Sequence, residues 1–330
     1  MPPTTDHPPP LTSPEAIGLD LGGTKLLTGV VDKDQKVHHE SRERTTGASE
    51  DTVIATIVEE IEEARTARPD VIAAGLGIPC TIDRERGVAI NAVNLDISDV
   101  PIRDLLRERT GMDVYVDNDA NVAALAEHRF GAAKGATNAV MLTIGTGVGG
   151  GVIIDEQLYR GSIGAASEPG HMVIDMNGPP CQGSCPNHGC LESLASGTAL
   201  AREGTAAAGH HPESALGLAL AREGAVTGKT VTEAAIAGDE VAREVLALIG
   251  TRLGVGLSSL ANIFNPDVIV IGGGVIAADD LLLEPARREL RERALEPMNE
   301  TPVRPAQMGP DAGMIGAAEM ALEESGAVTR

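Results

Sequence analysis

The segment from Glu168 to Glu192, EPGHMVIDMNGPPCQGSCPNHGCLE, restricts the fold more than any other part of the chain. It holds three of the four cysteines, and His171, Cys181, Cys185 and Cys190 are spaced H-x9-C-x3-C-x4-C among Gly, Pro and Asn. Three thiolates and one imidazole on such a loop make a closed tetrahedral zinc site, structural rather than catalytic. The competing reading is three loop cysteines with no common task. His188 is the alternative fourth ligand if the Cys181–Cys185 gap carries Cys181 out of reach. Glu168 and Glu192 bracket the ligands, so a metal that folds this loop also brings two carboxylates together. That is a rigid polar site for a hydroxyl-rich ligand. On the sequence the glycine turns described below lie far from this loop, so metal loss is expected to spare them.

A chain of 330 residues suits two domains, each burying its own core. Phe130, Phe264, Tyr115 and Tyr159 are its aromatics, so that core is aliphatic. A formal charge of −22 argues against nucleic acid or an anionic membrane as partner. It is compatible with ATP, because backbone N–H groups and a metal ion can hold phosphate. No run approaches 18 apolar residues, and the start is a Pro/Thr-rich tail over 1–14, expected to be disordered, without a signal-peptide core. With ligand-like cysteines, the expected compartment is the cytoplasm.

Apolar runs at 16–21 and 26–31 and an alternating run at 36–43 read as an antiparallel meander. Val53, Ile54, Ile57, Val58 and Ile61 predict a helix over 49–68. Strands follow at 71–78 and 112–119. Between them a short helix over 101–109 is stopped by Gly111, and another helix starts directly after Asp119. A second round begins at Asn138: strands AVMLTI and GVIIDEQLY joined by GTGVGG, then the cysteine loop. Mostly helix follows over 192–264, with a loop at the Ala/Gly/His-rich stretch 204–212 and a long helix over 239–263. Strand DVIVI, a GGG turn, a helix from Asp280, a strand near 303–307 and a helix from Gly313 complete the chain. The order describes two related α/β domains, 15–135 and 136–330, facing each other across a cleft. The second carries the 171–190 zinc loop and a helical insertion, and the last helix packs back on the first.

Three glycine turns are candidates for holding phosphate. In DLGGTK, Gly22 and Gly23 permit close approach of backbone N–H groups to an anion, Thr24 and Lys25 add donors, and Asp20 is placed to hold Mg²⁺ through water. A plain hairpin explains the same residues. GTGVGG fits G-x-G-x-x-G but leads into a strand, which excludes a dinucleotide fingerprint and leaves a second phosphate hairpin. Gly272, Gly273 and Gly274 follow a strand, with too little chain after them for a cofactor domain. Asp119, at a strand-to-helix junction, reads equally as a helix N-cap or as a carboxylate facing the cleft.

DLGGTK, GLGIP, NLD…DVP, DNDANVAALAE, IGTGVGGG, EPGHM, C…C…GCLES and FNPDVIVIGGG occur in this order over residues 15–325. In this respect the chain resembles the ROK family of sugar kinases, within the actin-like/hexokinase-like ATPases, and most of all its bacterial ATP-dependent glucokinases. The resemblance implies two actin-like (ribonuclease H-like) α/β domains with an interdomain cleft, and transfer of the ATP γ-phosphate to the 6-hydroxyl of glucose. Asp119 then matches the catalytic base. Asn94, Asn118, Glu168, His171 and Glu192 match the sugar contacts. Asp20, Gly22, Gly23, Thr24, Lys25, Thr146, Gly147, Gly272, Gly273 and Gly274 match the nucleotide side. Structural Zn²⁺, Mg²⁺ with ATP, and a homodimer or dimer of dimers follow from the same resemblance. So do the alternatives: a kinase for N-acetylglucosamine, N-acetylmannosamine, mannose or fructose, a polyphosphate donor, and a sugar-responsive regulator. The chain departs from the family pattern at the longer Cys181–Cys185 gap, at Cys80 in place of glycine, and at Ile97 in place of an aromatic.

Overall fold

The computed structural model describes residues 13–45, 47, 49–92 and 97–328. Asn94 and the tail up to residue 12 lie outside the described residues. The first half runs β1 (Glu15–Leu21), β2 (Lys25–Asp32), β3 (Val37–Arg44), α1 (Glu50–Ala67), β4 (Ala74–Ile78), β5 (Cys80–Asp83), β6 (Val88–Ala92), β7 (Ser98–Val100), α2 (Ile102–Thr110), β8 (Val114–Asn118) and α3 (Asp119–Arg129). The second runs β9 (Ala139–Ile144), β10 (Val148–Ile154), β11 (Gln157–Leu158), α4 (Leu191–Ala195), α5 (Gly197–His210), α6 (Ala215–Glu223), α7 (Gly228–Ile236), α8 (Glu240–Phe264), β12 (Val268–Gly272), α9 (Asp280–Arg293), β13 (Val303–Pro305) and α10 (Ala312–Glu324).

Two five-stranded sheets share one plan. Their orders are β3-β2-β1-β4-β8 and β11-β10-β9-β12-β13. In each, three strands form an antiparallel meander and two more join parallel to its first strand. This is the two-halved α/β arrangement that the resemblance implies. Leu21 pairs with Leu26, and Ile144 with Val148, so the two short glycine turns occupy equivalent places. In register, Asp20 lies beside Gly77, and Gly77 beside Asp117. Asp20, Pro79 and the Asn118–Asp119 pair therefore share the carboxyl edge of the parallel strands, where α/β folds place their ligands.

The cores are aliphatic, as the near-absence of aromatics requires. One lies under the first sheet, with Ile17, Leu19, Ile57, Ile61, Leu76 and Leu106. Another lies under the second, with Val140, Leu142, Leu200, Leu246, Leu253, Ile269 and Leu282. A third joins the halves: Leu27 and Val31 of β2, Ala123 and Ala124 of α3, Met141 of β9, Ile153 of β10 and Met314 of α10. Helix α10 packs on β1, β4 and α3 at very short range. A Cβ on Gly18 would meet the carbonyl oxygen of Met314, and one on Gly75 that of Ala317. Helix α8 is long and apolar enough to cross a membrane by length and composition, but 56% of that window is buried inside the protein.

Structure and sequence reading differ in four places. GVIIDEQLY is not one strand: β10 ends at Ile154, Asp155 and Glu156 turn with positive φ, and β11 folds back on Ile153 and Ile154. Residues 204–210 are the last turns of α5, not a loop. Alanine favours helix, and Gly204 serves where the helix approaches Val226 and Val231. The strand expected over 71–78 starts only at Ala74, Val71 to Ala73 being an extended lead-in. A separate three-stranded sheet, β5-β6-β7, was not anticipated at all.

Candidate active site

Asp119 is the first residue of α3, and the cap of that helix belongs to its neighbour. Asn118 Oδ1 accepts from the backbone N–H groups of Ala120 at 2.9 Å and Asn121 at 3.2 Å. The capping explanation for Asp119 therefore falls away, although its Oδ1 also accepts from Ala120 N–H at 2.8 Å. Burial pushes the Asp119 carboxyl up, and the backbone bond from Ala120 opposes this. Asp20 is pushed up to about 7 by burial and by the Asp119 charge, with Lys25 opposing. Glu168 is raised by burial, with His171 opposing and Asp119 and Glu192 adding to the rise. Four carboxylates from β1, α3, the turn before His171 and α4 thus converge on one corner.

That corner opens into a cavity of about 610 Å³ lined by Asn118, Asp119, Glu168, His171 and Glu192, with the backbone of Gly145 to Gly149 along one side. Cys80, Thr81 and Asn91 form a further wall. A second cavity, of about 710 Å³, shares Gly145 and Thr146 with the first. It is lined by Gly197, Thr198, Thr227, Gly228, Lys229, Thr232, Glu233 and Gly274. The Gly145–Gly147 turn is the partition between the two. Gly145 N–H donates to Gly147 O at 3.0 Å, which closes the turn, and Gly197 N–H donates to Gly145 O at 2.7 Å.

The cysteine loop folds as two short antiparallel crossings, Val173 against Cys190 and Pro180 against His188. It gathers one ligand atom each from His171, Cys181, Cys185 and Cys190, all within 4.8 Å of one another. His171 Nδ1 lies 3.5 Å from Cys181 Sγ, and Cys185 Sγ 3.9 Å from Cys190 Sγ. A tetrahedron with Zn–S bonds of about 2.3 Å has S···S edges of about 3.8 Å. The residues fit the metal, and Nδ1 is the ring nitrogen that faces it. The longer gap leaves Cys181 in reach, and His188 is outside the group. Burial and the neighbouring thiols push the Cys181 thiol up, the electrostatics of sulfurs gathered for a cation.

The expected independence of this loop from the glycine turn does not hold. Glu192 Oε2 accepts from Val148 N–H at 2.9 Å, and Gln182 Nε2 donates to Thr146 O at 3.5 Å. The two segments are remote in sequence and adjacent in space.

The other expected residues are placed as follows. Gly273 lines the first cavity and Gly274 the second, while Gly272 ends β12. The Gly22–Lys25 turn lines neither cavity. Gly22 N–H donates to Lys25 O at 2.8 Å, with Thr24 and Lys25 exposed. Its link to the corner is Asp20. Sequence reading missed Thr81, Asn91 and Gln182, and all of the second cavity beyond Thr146 and its glycines. Thr81 and Asn91 pair across the β5–β6 hairpin, which carried no readable strand signal. The second cavity is assembled from ordinary Thr, Lys and Glu side chains on α5 and α7.

The sequence pattern of the ROK family matches residues 16–324. The chain is 39% identical to a glucokinase of Halalkalibacterium halodurans, over 91% of this chain and 92% of that one. It is 36% identical to a glucokinase of Streptomyces coelicolor, over 93% and 97%. Among solved structures it is similar to a ROK family glucokinase from Streptomyces griseus in complex with glucose and AMPPNP. The TM-score is 0.83 and the identity 36%, covering 93% of this chain and 99% of that one. With both sheets and the intervening cleft included in the match, the chain belongs to the ROK family.

Proposed function

We propose that this protein is an ATP-dependent hexokinase that phosphorylates glucose on its 6-hydroxyl. The observation that carries the reading is the shared turn: a phosphoryl group passing from the second cavity to the first crosses the backbone of Gly145–Gly147. Glucose as the acceptor is supported by the relatives. The sugar occupies the first cavity, with its hydroxyls on Glu168, Glu192, Asn118 and His171. The nucleoside occupies the second.

An alcohol is a poor nucleophile near neutral pH, so its proton must leave as the new bond to phosphorus forms. Asp119 is the base. Burial raises its proton affinity, which improves the match to that task. Asn118 fixes the helix start on which Asp119 sits. Zn²⁺ would be held by His171, Cys181, Cys185 and Cys190, supplying rigidity and leaving His171 Nε2 for a sugar hydroxyl. Asp20, buried beside the Asp119 corner, would hold Mg²⁺ through water, and the ion would offset phosphate charge.

The test is a coupled ADP-release assay across glucose, mannose, fructose and the N-acetylated hexosamines, repeated with polyphosphate as donor. Glucose with ATP should give the highest kcat/KM. In Asp119→Asn, kcat should fall by roughly two to four orders of magnitude while glucose and ATP still bind. Sugar binding without ADP release by the unmodified protein would replace the kinase with a sugar-responsive regulator.

A further inference from the structure

Asp117, the residue just before the Asn118–Asp119 pair, is a fully buried carboxylate at the centre of a charge chain. Its Oδ2 accepts from Arg160 Nε at 2.6 Å and lies 3.5 Å from Arg84 Nε. Its Oδ1 accepts from Asn121 Nδ2 at 2.9 Å and from Asn118 N–H at 2.8 Å. Glu324, the last residue of α10, pairs with Arg84 and lies 3.9 Å from Arg160. Two guanidiniums and two carboxylates therefore link four separate parts of the fold.

Two of those parts carry walls of the first cavity, and a third leads into one. Arg84 directly follows β5, which carries Cys80 and Thr81. Arg160 lies two residues beyond β11, in the half that carries Glu168. The intervening segment is closed on itself: Ala166 N–H donates to Arg160 O at 3.1 Å and Ser167 Oγ to Tyr159 O at 3.2 Å. It is tied to the β5 side by Arg84 N–H donating to Ile163 O at 3.0 Å. Glu168 is the next residue along. A shift of Arg160 is thus transmitted to Glu168 on one side and, through Asp117, to Asp119 on the other.

We infer that Arg84, Asp117, Arg160 and Glu324 form a clasp across the cleft that sets the spacing between the Asp119 and Glu168 corners of the sugar pocket, with Arg160 as its positioning residue. The inference rests on the kinase reading above. Arg160 touches neither reactant in that reading and acts through Asp117 and the Glu168 loop. A planar fork suits the task, because one guanidinium addresses two carboxylates at fixed angles where an ammonium acts as a point charge.

The test compares Arg160→Met, Arg160→Lys and Glu324→Gln with the unmodified enzyme in steady-state kinetics with glucose and ATP. Arg160→Met should lower kcat by about tenfold to a hundredfold and raise the glucose KM, the scale of loss for a misplacement near 1 Å. Its ATP KM should stay within about twofold, since the second cavity shares none of the four residues. Arg160→Lys should recover part of kcat. Glu324→Gln leaves the buried Asp117 with both cations, so it should fold normally and still raise the glucose KM. Wild-type kcat and glucose KM in both Arg160→Met and Glu324→Gln overturn the clasp. So does an equal rise of both KM values in Arg160→Met with no effect of Glu324→Gln. Should the unmodified protein release no ADP with any hexose, the kinase reading fails instead. Calorimetric glucose affinity of the same variants then decides the clasp, and equal affinity throughout overturns it.

Discussion

Glu192 accepts a hydrogen bond from Val148 N–H at 2.9 Å, tying a carboxylate of the cysteine-loop side to the turn that separates the two cavities. A Cβ on Gly147 would run into that same carboxylate. Gly147→Ala should therefore raise the KM for glucose as well as for ATP. A hydrogen bond to a charged group is worth about 1.5–3 kcal/mol, so each constant should rise by roughly tenfold or more. Initial-rate kinetics with each substrate varied in turn is the check, and an effect on ATP alone would mean that Glu192 does not depend on this turn.

Metal removal should reach both substrates for the same reason. Cys185→Ser should lose stoichiometric zinc, lower the melting temperature and raise the glucose KM by at least about tenfold, because the ligands order the loop that carries His171 and positions Glu192. The ATP KM should rise by a smaller factor, through Gln182 on Thr146. Cys80→Ser should keep its zinc. Metal analysis with paired kinetics decides the matter, and full zinc content with unchanged kinetics in Cys185→Ser would refute the assignment.

Stability should depend on pH through Glu319 of α10. Burial, reinforced by Glu323 and opposed by Arg129, raises its carboxyl from 4.5 to about 7. The folded protein therefore binds more protons than the unfolded chain between those values. This contribution favours folding below pH 4.5 and is lost as pH rises through about 7, a change on the order of 3 kcal/mol. Glu319→Gln should be more stable than the unmodified protein at pH 8, and the difference should shrink towards pH 5. Urea unfolding at the two pH values tests this; a constant difference would exclude Glu319 as the source.

Gly75→Ala should be among the most damaging small substitutions. The new methyl meets the main-chain carbonyl of Ala317, which cannot turn aside as a side chain can. A loss of about 3 kcal/mol is expected. Gly209→Ala, in α5 with nothing within 4 Å, should instead stabilise by about 0.5–1 kcal/mol. Denaturant midpoints of both variants measure the contrast, and equal effects would contradict the close approach of α10.

The elements that sequence made legible are those whose apolar period is long relative to their length. Val53 to Ile61 could only be a helix face, and the paired runs around Gly22 and around Gly145 could only be hairpins. Strands β5, β6 and β7 have three to five residues each and little alternation, so no period exists to read. The 204–210 stretch misled because glycine and histidine signal loops locally, whereas its packing against α7 is a tertiary fact. The metal ligands and the carboxylates around them were visible because their chemistry is written in residue type. The second cavity, beyond Thr146 and its glycines, was not: Thr198, Thr227, Lys229 and Glu233 are ordinary surface residues until α5 and α7 are brought together. The contact of Glu192 with Val148 spans 44 positions, and no local pattern announces it.

The face of the first sheet that bears Gly18 and Gly75 is covered by α10, the last helix of the chain. On a ribosome that sheet emerges well before the helix that covers it. Until Ala312–Glu324 has been delivered, the glycine-lined face of β1 and β4 has no partner, and the Asp20 edge lacks the helix start that closes over it. Assembly of the first half therefore waits on a helix that lies beyond the whole second sheet in the chain, and the cleft takes its final shape only once that helix has docked.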